Sequence, residues 1–314
     1  SLSVTADITD PQGGGKIDDC GFPINCPGDP LSWDIMTQVS KALKDNATDA
    51  APLPGLSVKH VIALGESQSA QRLTWYYNAI QPIYKFFDGF VFLDYASQLR
   101  SGLSTPAISV STEATAGRSP VMTSSEYTRI WAVPGASHAS LYAVKYVDEM
   151  LVRDKSFPGP NGPMSFTELM GQQPCNLSPL FSTIDTGLVL NAALESTRQW
   201  ISTGKAAAPT LTIRRNASGA IERTPNGKAQ GGVRLSQFSA PTAFLSPNGD
   251  QVGCVLSGHH RNFTKDELKS LYGTHRAYVS QVRSAMKDVV KKGYVLPHDA
   301  QAIIQAAEKS DVAR

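Results

Sequence analysis

Residues 58–73, V-K-H-V-I-A-L-G-E-S-Q-S-A-Q-R-L, constrain this chain more than any other stretch. The apolar run Val61-Ile62-Ala63-Leu64 reads as a buried strand. It passes through Gly65-Glu66-Ser67-Gln68-Ser69 into a helical pattern over residues 70–78. Strand, sharp turn around a serine, helix is the context a nucleophile elbow needs. Such a turn is crowded, so the positions two before and two after the serine must be small. Gly65 and Ser69 meet that need, although the common pattern has glycine at both places. The competing reading is an ordinary strand-to-helix turn that happens to hold a serine.

The surrounding pattern favours an α/β fold with a mostly parallel sheet. Residues 1–32 are rich in Gly, Pro and Asp and read as loop. From Ser32, the residues Ile35, Met36, Val39, Ala42 and Leu43 share one face of an amphipathic helix. After the elbow, buried strands are expected at 86–93, 107–111 and 128–133, followed by a helix at about 140–152. Residues 153–182 are rich in Pro and Gly, 186–203 are helical, and 206–258 read as irregular or β-like. Two helices are expected to close the chain, at 264–292 behind the capping pattern T-K-D-E and at 297–308. The division is therefore a core portion at 1–152, a loop-rich, cap-like or inserted region at 153–258, and C-terminal helices at 259–314 packing on the same domain.

A serine nucleophile needs a base and a group that orients the base. In a doubly wound sheet such groups stand on loops at the carboxyl ends of strands. The chain has six histidines. His60 enters the elbow strand from its far end, and His275 and His298 sit in or at the start of C-terminal helices. His138, just past a strand in P-G-A-S-H-A, is the best base; His259 and His260 in a Gly258 loop come second. The acid should follow a strand between Ser67 and His138. Glu113, directly after the 107–111 strand, is the first choice, Asp94 is next, and Asp88 reads as structural. The backbone N–H of Gln68 at the helix start supplies one oxyanion donor. No convincing early strands precede the elbow to supply a second.

Several function classes are excluded or narrowed. A net charge of +2 over 314 residues, with no basic cluster interleaved with aromatics, argues against nucleic acid. The apolar runs are strand-sized, so no membrane span is expected. No metal or organic cofactor is implied: the four cysteines, Cys20, Cys26, Cys175 and Cys254, have no zinc-site spacing. They suit structural disulfides, with Cys20 paired to Cys26 and Cys175 to Cys254. Sequons at Asn46, Asn176, Asn216 and Asn262 add to the expectation of a secreted, glycosylated protein. The polar opening from Ser1 reads as that of a mature chain or of one whose start lies elsewhere.

Together these blocks resemble the α/β-hydrolase domain family of large secreted or periplasmic proteins. Pro27-Gly28-Asp29 with Ser32-Trp33-Asp34-Ile35 looks like its "PGD…S(Y/W)DI" segment. Gly65-Glu66-Ser67-Gln68-Ser69-Ala70, with Leu73 and Tyr77-Asn78-Ala79, looks like its "GESQSA…L…YVNA" elbow. Asp88-Gly89-Phe90, Thr112-Glu113 and Arg129-Ile130-Trp131 through Gly135-Ala136-Ser137-His138-Ala139 continue the likeness. So do Trp200, Gly231-Gly232-Val233-Arg234, Pro241, Leu271-Tyr272 and Tyr278, over about residues 27–308. The resemblance implies Ser67 as nucleophile, Glu113 as acid and His138 as base, with Thr115 standing where the family usually has an aspartate. It also implies early strands in a longer N-terminal part, so the chain is expected to be the C-terminal portion of a larger protein, with that part or a subunit of the same precursor as partner. The expected activity is hydrolysis of a small-molecule or polymeric carboxylic ester. An acyltransferase with the same triad, or a non-catalytic binding or storage protein on this scaffold, are the alternatives.

Overall fold

The structure, a computed structural model, describes residues 31–45, 52–117, 121–172, 179–248 and 254–314. Its centre is a four-stranded parallel sheet: β1 (Ile62–Glu66), β2 (Gly89–Leu93), β3 (Ala107–Thr112) and β4 (Thr128–Val133), hydrogen-bonded in chain order. β2, β3 and β4 are apolar because both faces are covered, whereas β1, expected as a buried strand, buries Ala63 and Gly65 but leaves Leu64 49% exposed and Glu66 open to solvent. Val91, Leu93, Ile108, Val110, Trp131 and Val133 point to one face and form the larger core with C-terminal helices. Ala63, Phe90 and Phe92 point to the other and pack with Ala70, Leu73, Tyr76 and Tyr77. The period of two along each strand thus divides the core into two layers.

The helices follow from the same patterning. α1 (Leu31–Lys44) lays Trp33, Met36 and Leu43 on the second layer. The elbow helix α2 (Gln68–Trp75) is shorter than the pattern suggests and continues as one π-helical segment, Tyr76–Ile80. This widening accompanies burial of two consecutive large rings, Tyr76 and Tyr77, neither of which is exposed. α3 (Leu141–Arg153) follows β4, and α4 (Gly187–Thr203) crosses the larger core. Gly89 permits that crossing, since a Cβ there would lie 2.6 Å from Thr197 Cγ2.

The expected 86–93 strand starts only at Gly89. The preceding residues are spent elsewhere: Gln81 Nε2 donates to the Phe87 carbonyl, and Asp88 exchanges hydrogen bonds with the Val61 backbone. The described residues of the 206–258 stretch are largely irregular but add to the outer edge of β4. Leu211 and Val233 bond the backbone of Ile130 and Ala132 there, which caps an edge otherwise open to pairing. A hairpin of β5 (Ala243–Ser246) and β6 (His259–Asn262) follows. The expected single helix at 264–292 is two, α5 (Lys265–Tyr272) and α6 (His275–Lys291). Gly273 at φ 69° ends the first, and the Thr274 hydroxyl accepts from Ala277 N to cap the second. α7 (Pro297–Lys309) closes the chain against α6. No helix among the described residues is long and apolar enough to cross a membrane.

Candidate active site

Ser67 sits between β1 and α2 with φ 57° and ψ −125°. That is a costly conformation for a residue with a side chain, and it persists because its surroundings fix it. The Ser67 N–H donates to the Leu93 carbonyl at 2.9 Å, and the Ser67 carbonyl accepts from Gln71 N at 3.1 Å. Gly65 meets the steric demand of the turn: a Cβ there would lie 2.8 Å from the Ser69 carbonyl oxygen. The serine therefore stands at the carboxyl end of β1, with Gln68 heading α2. The first N–H groups of a helix lack intrahelical acceptors, so Gln68 N–H is available as a donor.

Asp94 follows β2, the strand directly beside β1. It and Tyr95 hold consecutive positive φ values, 55° and 51°. The Asp94 N–H still completes the ladder to the Val110 carbonyl at 2.8 Å, while the left-handed turn swings its carboxylate under the strand ends. That carboxylate is buried and fully engaged. Oδ1 accepts from Thr112 N and Thr115 Oγ1, both at 2.6 Å; Oδ2 accepts from Thr112 Oγ1 at 3.0 Å and contacts His138 Nδ1 at 2.8 Å. A carboxylate accepts only, so Nδ1 carries the proton in this pair and Nε2 presents its lone pair.

His138 is delivered by the loop after β4, and that loop is held at several points. Gly135, at φ 77°, donates its N–H to Glu113 Oε2 at 2.6 Å, and its carbonyl accepts from Ser182 Oγ at 2.7 Å. Ser137 Oγ donates to the Ala139 carbonyl at 2.6 Å and accepts from Ser182 N at 3.1 Å. The Tyr95 ring packs edge-to-face on the imidazole with centroids 5.1 Å apart. His138 and Asp94 are thus fixed by separate sets of contacts.

Glu113, the first choice for the acid, does not reach His138. It is buried, with one oxygen on Gly135 N–H and the other paired with Arg223 Nη2 at 2.8 Å outside hydrogen-bond geometry. Its position at the end of β3 is right for an acid, but β3 lies one strand farther from the serine than β2. The structure pairs His138, from the loop after β4, with Asp94 at the end of β2, places Ser67 at the end of the adjacent β1, and sets Glu113 on the backbone of the histidine loop. The signal for Asp94 was available, as an acidic residue directly after a buried strand. Thr112 and Thr115, its donors, carried no sequence signal of their own.

Glu66 adds a second carboxyl near the site. Burial by surrounding protein pushes it up from its ordinary value; His138 pulls it down and Asp94 pushes it up. Its own surface stays open to solvent, which tempers the effect. The other histidines have other partners or positions: His259, expected in a loop, opens strand β6 with its ring 6.0 Å from that of Phe244, His260 Nδ1 bonds the Phe181 carbonyl, His275 bonds the carbonyls of Val312 and Glu308, His298 pairs with Asp299, and His60 is exposed just before β1. Among the described residues no group of His, Cys, Asp and Glu is placed to hold a metal ion. Cys20, Cys26, Cys175, Asn46 and Asn176 lie outside the described residues, so the expected disulfide pairs and two of the sequons do too. Asn216 and Asn262 are exposed.

No curated protein and no solved structure matches the chain. A family model does: the one described as an alpha/beta hydrolase domain matches residues 10–305. The parallel sheet, the serine turn at the end of β1 and the histidine loop after β4 agree with that match, and the chain belongs to the α/β-hydrolase domain family.

Proposed function

We propose that this hydrolase-family protein is a serine carboxylic ester hydrolase working through an acyl-enzyme. Ser67 Oγ attacks the ester carbonyl, His138 Nε2 takes its proton and later returns it to the leaving alkoxide, and Asp94 holds the imidazole in the required tautomer. Gln68 N–H donates to the oxyanion. Water then attacks the acyl-enzyme with His138 as base, releasing the carboxylic acid and restoring Ser67. Asp94 replaces Glu113 in the role of acid, and Glu113 instead braces the loop that carries His138.

The observation that carries this reading is the 2.8 Å contact between His138 Nδ1 and a buried, threefold-donated carboxylate, one strand from a serine held at positive φ. Such strain costs roughly 1–3 kcal/mol and concentrates at functional sites. The test is labelling with a fluorophosphonate probe. Wild type is expected to label at Ser67, Ser67→Ala to be silent, and His138→Ala to label far more slowly. Folded wild-type protein that never labels would refute the nucleophile, and undiminished labelling of His138→Ala would refute the base.

The exposed sequons support a further part of the reading, a secreted glycoprotein. A secreting eukaryotic host is expected to return protein whose mass falls on glycosidase treatment. Unchanged mass would refute glycosylation.

A further inference from the structure

A cavity of about 390 Å³ lies against the β3–β4 floor, with Tyr95, Ser109, Ser111, Ala132 and Ile213 among its walls. Arg214 and Arg215 line it from the segment that covers β4 rather than from the sheet. Tyr95 connects it to the catalytic group, since the same ring packs on His138 at 5.1 Å. The nucleophile is close by in the backbone: Ser67 N bonds Leu93 O, two residues before Tyr95.

The floor is apolar except for two hydroxyls. Ser109 is only 2% exposed, and neither its hydroxyl nor that of Ser111 makes a hydrogen bond to a described residue. Ser111 is half-buried, and both residues line this space, so each hydroxyl is free to donate to or accept from a ligand there. Register sets their depth. Leu93 pairs with Val110 and Phe92 with Ser109, so Ser111 stands level with Asp94 and Ser109 lies two residues, about 6.6 Å, below it.

Resting on the esterase reading above, we propose that this cavity receives the acyl group of the substrate, and that the acyl group is an apolar body ending in a hydroxyl. The carbonyl stays at Ser67, the chain passes Tyr95, and the far hydroxyl meets Ser109. At about 30 Å³ per water-sized unit, the cavity admits around a dozen non-hydrogen atoms. A 4-hydroxyphenylpropanoyl group is of that size and carries its hydroxyl at the end.

The test compares kcat/KM for methyl 3-(4-hydroxyphenyl)propanoate and methyl 3-phenylpropanoate, with 4-nitrophenyl acetate as a short-chain reference. Wild type is expected to prefer the hydroxylated ester by about fivefold, the value of one neutral hydrogen bond. Ser109→Ala should bring that ratio to about one. Ser109→Leu, which fills the floor, should lower both arylpropanoates at least tenfold relative to acetate. Acetate hydrolysis with no hydroxyl preference in wild type, or a preference that survives Ser109→Ala, would overturn the pocket and leave the esterase reading standing. A folded wild type that hydrolyses none of the three would overturn the esterase reading and the pocket with it. The Ser109→Ala ratio keeps the test sharp even if the bulkier variant fails to fold.

Discussion

Asp94→Asn and Glu113→Gln separate the two carboxylates, and the hydrogen-bond directions show why they should differ. Asp94 Oδ1 faces Thr112 N–H, an obligate donor. In the Asp94→Asn variant the amide oxygen must keep that place, so the NH2 group takes the Oδ2 position beside His138 Nδ1. The amide then donates to Nδ1. That forces the imidazole proton onto Nε2, and the nitrogen meant to accept the serine proton no longer can. The geometry survives while the tautomer is wrong. A loss of roughly 10³–10⁴ in kcat is the expected scale for a serine triad in this state, or about 4–5.5 kcal/mol of barrier at 1.36 kcal/mol per decade. Glu113→Gln retains an oxygen for Gly135 N–H and loses the pair with Arg223, which is 44% exposed. Its effect should fall on stability, about 1–3 kcal/mol for a buried polar group left imperfectly paired, with kcat within about tenfold of wild type. The assay is kcat on a 4-nitrophenyl ester, read beside a thermal melt for each variant. Asp94→Asn within tenfold of wild type together with a thousandfold loss in a folded Glu113→Gln would refute the assignment.

Three further outcomes are expected. Thr115→Val removes a 2.6 Å donor from the Asp94 carboxylate; kcat should fall about tenfold, as for a lost hydrogen bond to a charged group, with recovery in Thr115→Ser, and equal rates for all three would exclude a positioning role. Gly65→Ala drives a Cβ to 2.8 Å from a backbone oxygen; a loss of about 1–3 kcal/mol in denaturant unfolding is expected, along with slower fluorophosphonate labelling. Asp185 is pushed above its ordinary 3.8, first by burial, then by Asp299, against a lowering hydrogen bond from Gly187 N–H. The folded state therefore binds that proton more tightly than the unfolded chain, so its contribution is full below the unfolded value and lost as pH rises through the folded one. Asp185→Asn, neutral throughout, should melt above wild type at pH 7, with the gap closing toward pH 4; a pH-independent gap would contradict the linkage.

Much of the fold was legible because it rests on local signals. The 128–133 strand could be placed to the residue because an apolar β-branched run ends there in Pro134-Gly135. The elbow was legible for the same reason, since the turn demands small residues at fixed offsets. Less legible were features decided by partners distant in sequence. The start of β2 moved to Gly89 because Gln81 and Val61 claim the residues before it. The break at Gly273 was visible as a glycine, but a lone glycine is tolerated within a helical pattern, and here Thr274 as a cap decides the matter.

The acid shows most clearly where sequence reasoning stopped. Both Asp94 and Glu113 are acidic residues just past buried strands, and nothing local separates them. Strand order does. With β1, β2, β3 and β4 side by side in chain order, the carboxyl end of β2 lies against the serine turn, shown by the Ser67 N–H on Leu93. A left-handed pair at Asp94 and Tyr95 then folds the carboxylate back toward β3, where the Thr112 backbone and two threonine hydroxyls receive it. His138, arriving from β4 across the top of β3, meets Asp94 there. Glu113, just past the intervening strand, lies beneath that crossing and supports it through Gly135. The histidine therefore spans from β4 to β2, and the residues between them are buttresses. Thr112, Thr115 and Glu113 thus support a His138–Asp94 pair formed over their heads, and the kinetic cost of losing each of them is expected to be smaller than the cost of losing Asp94.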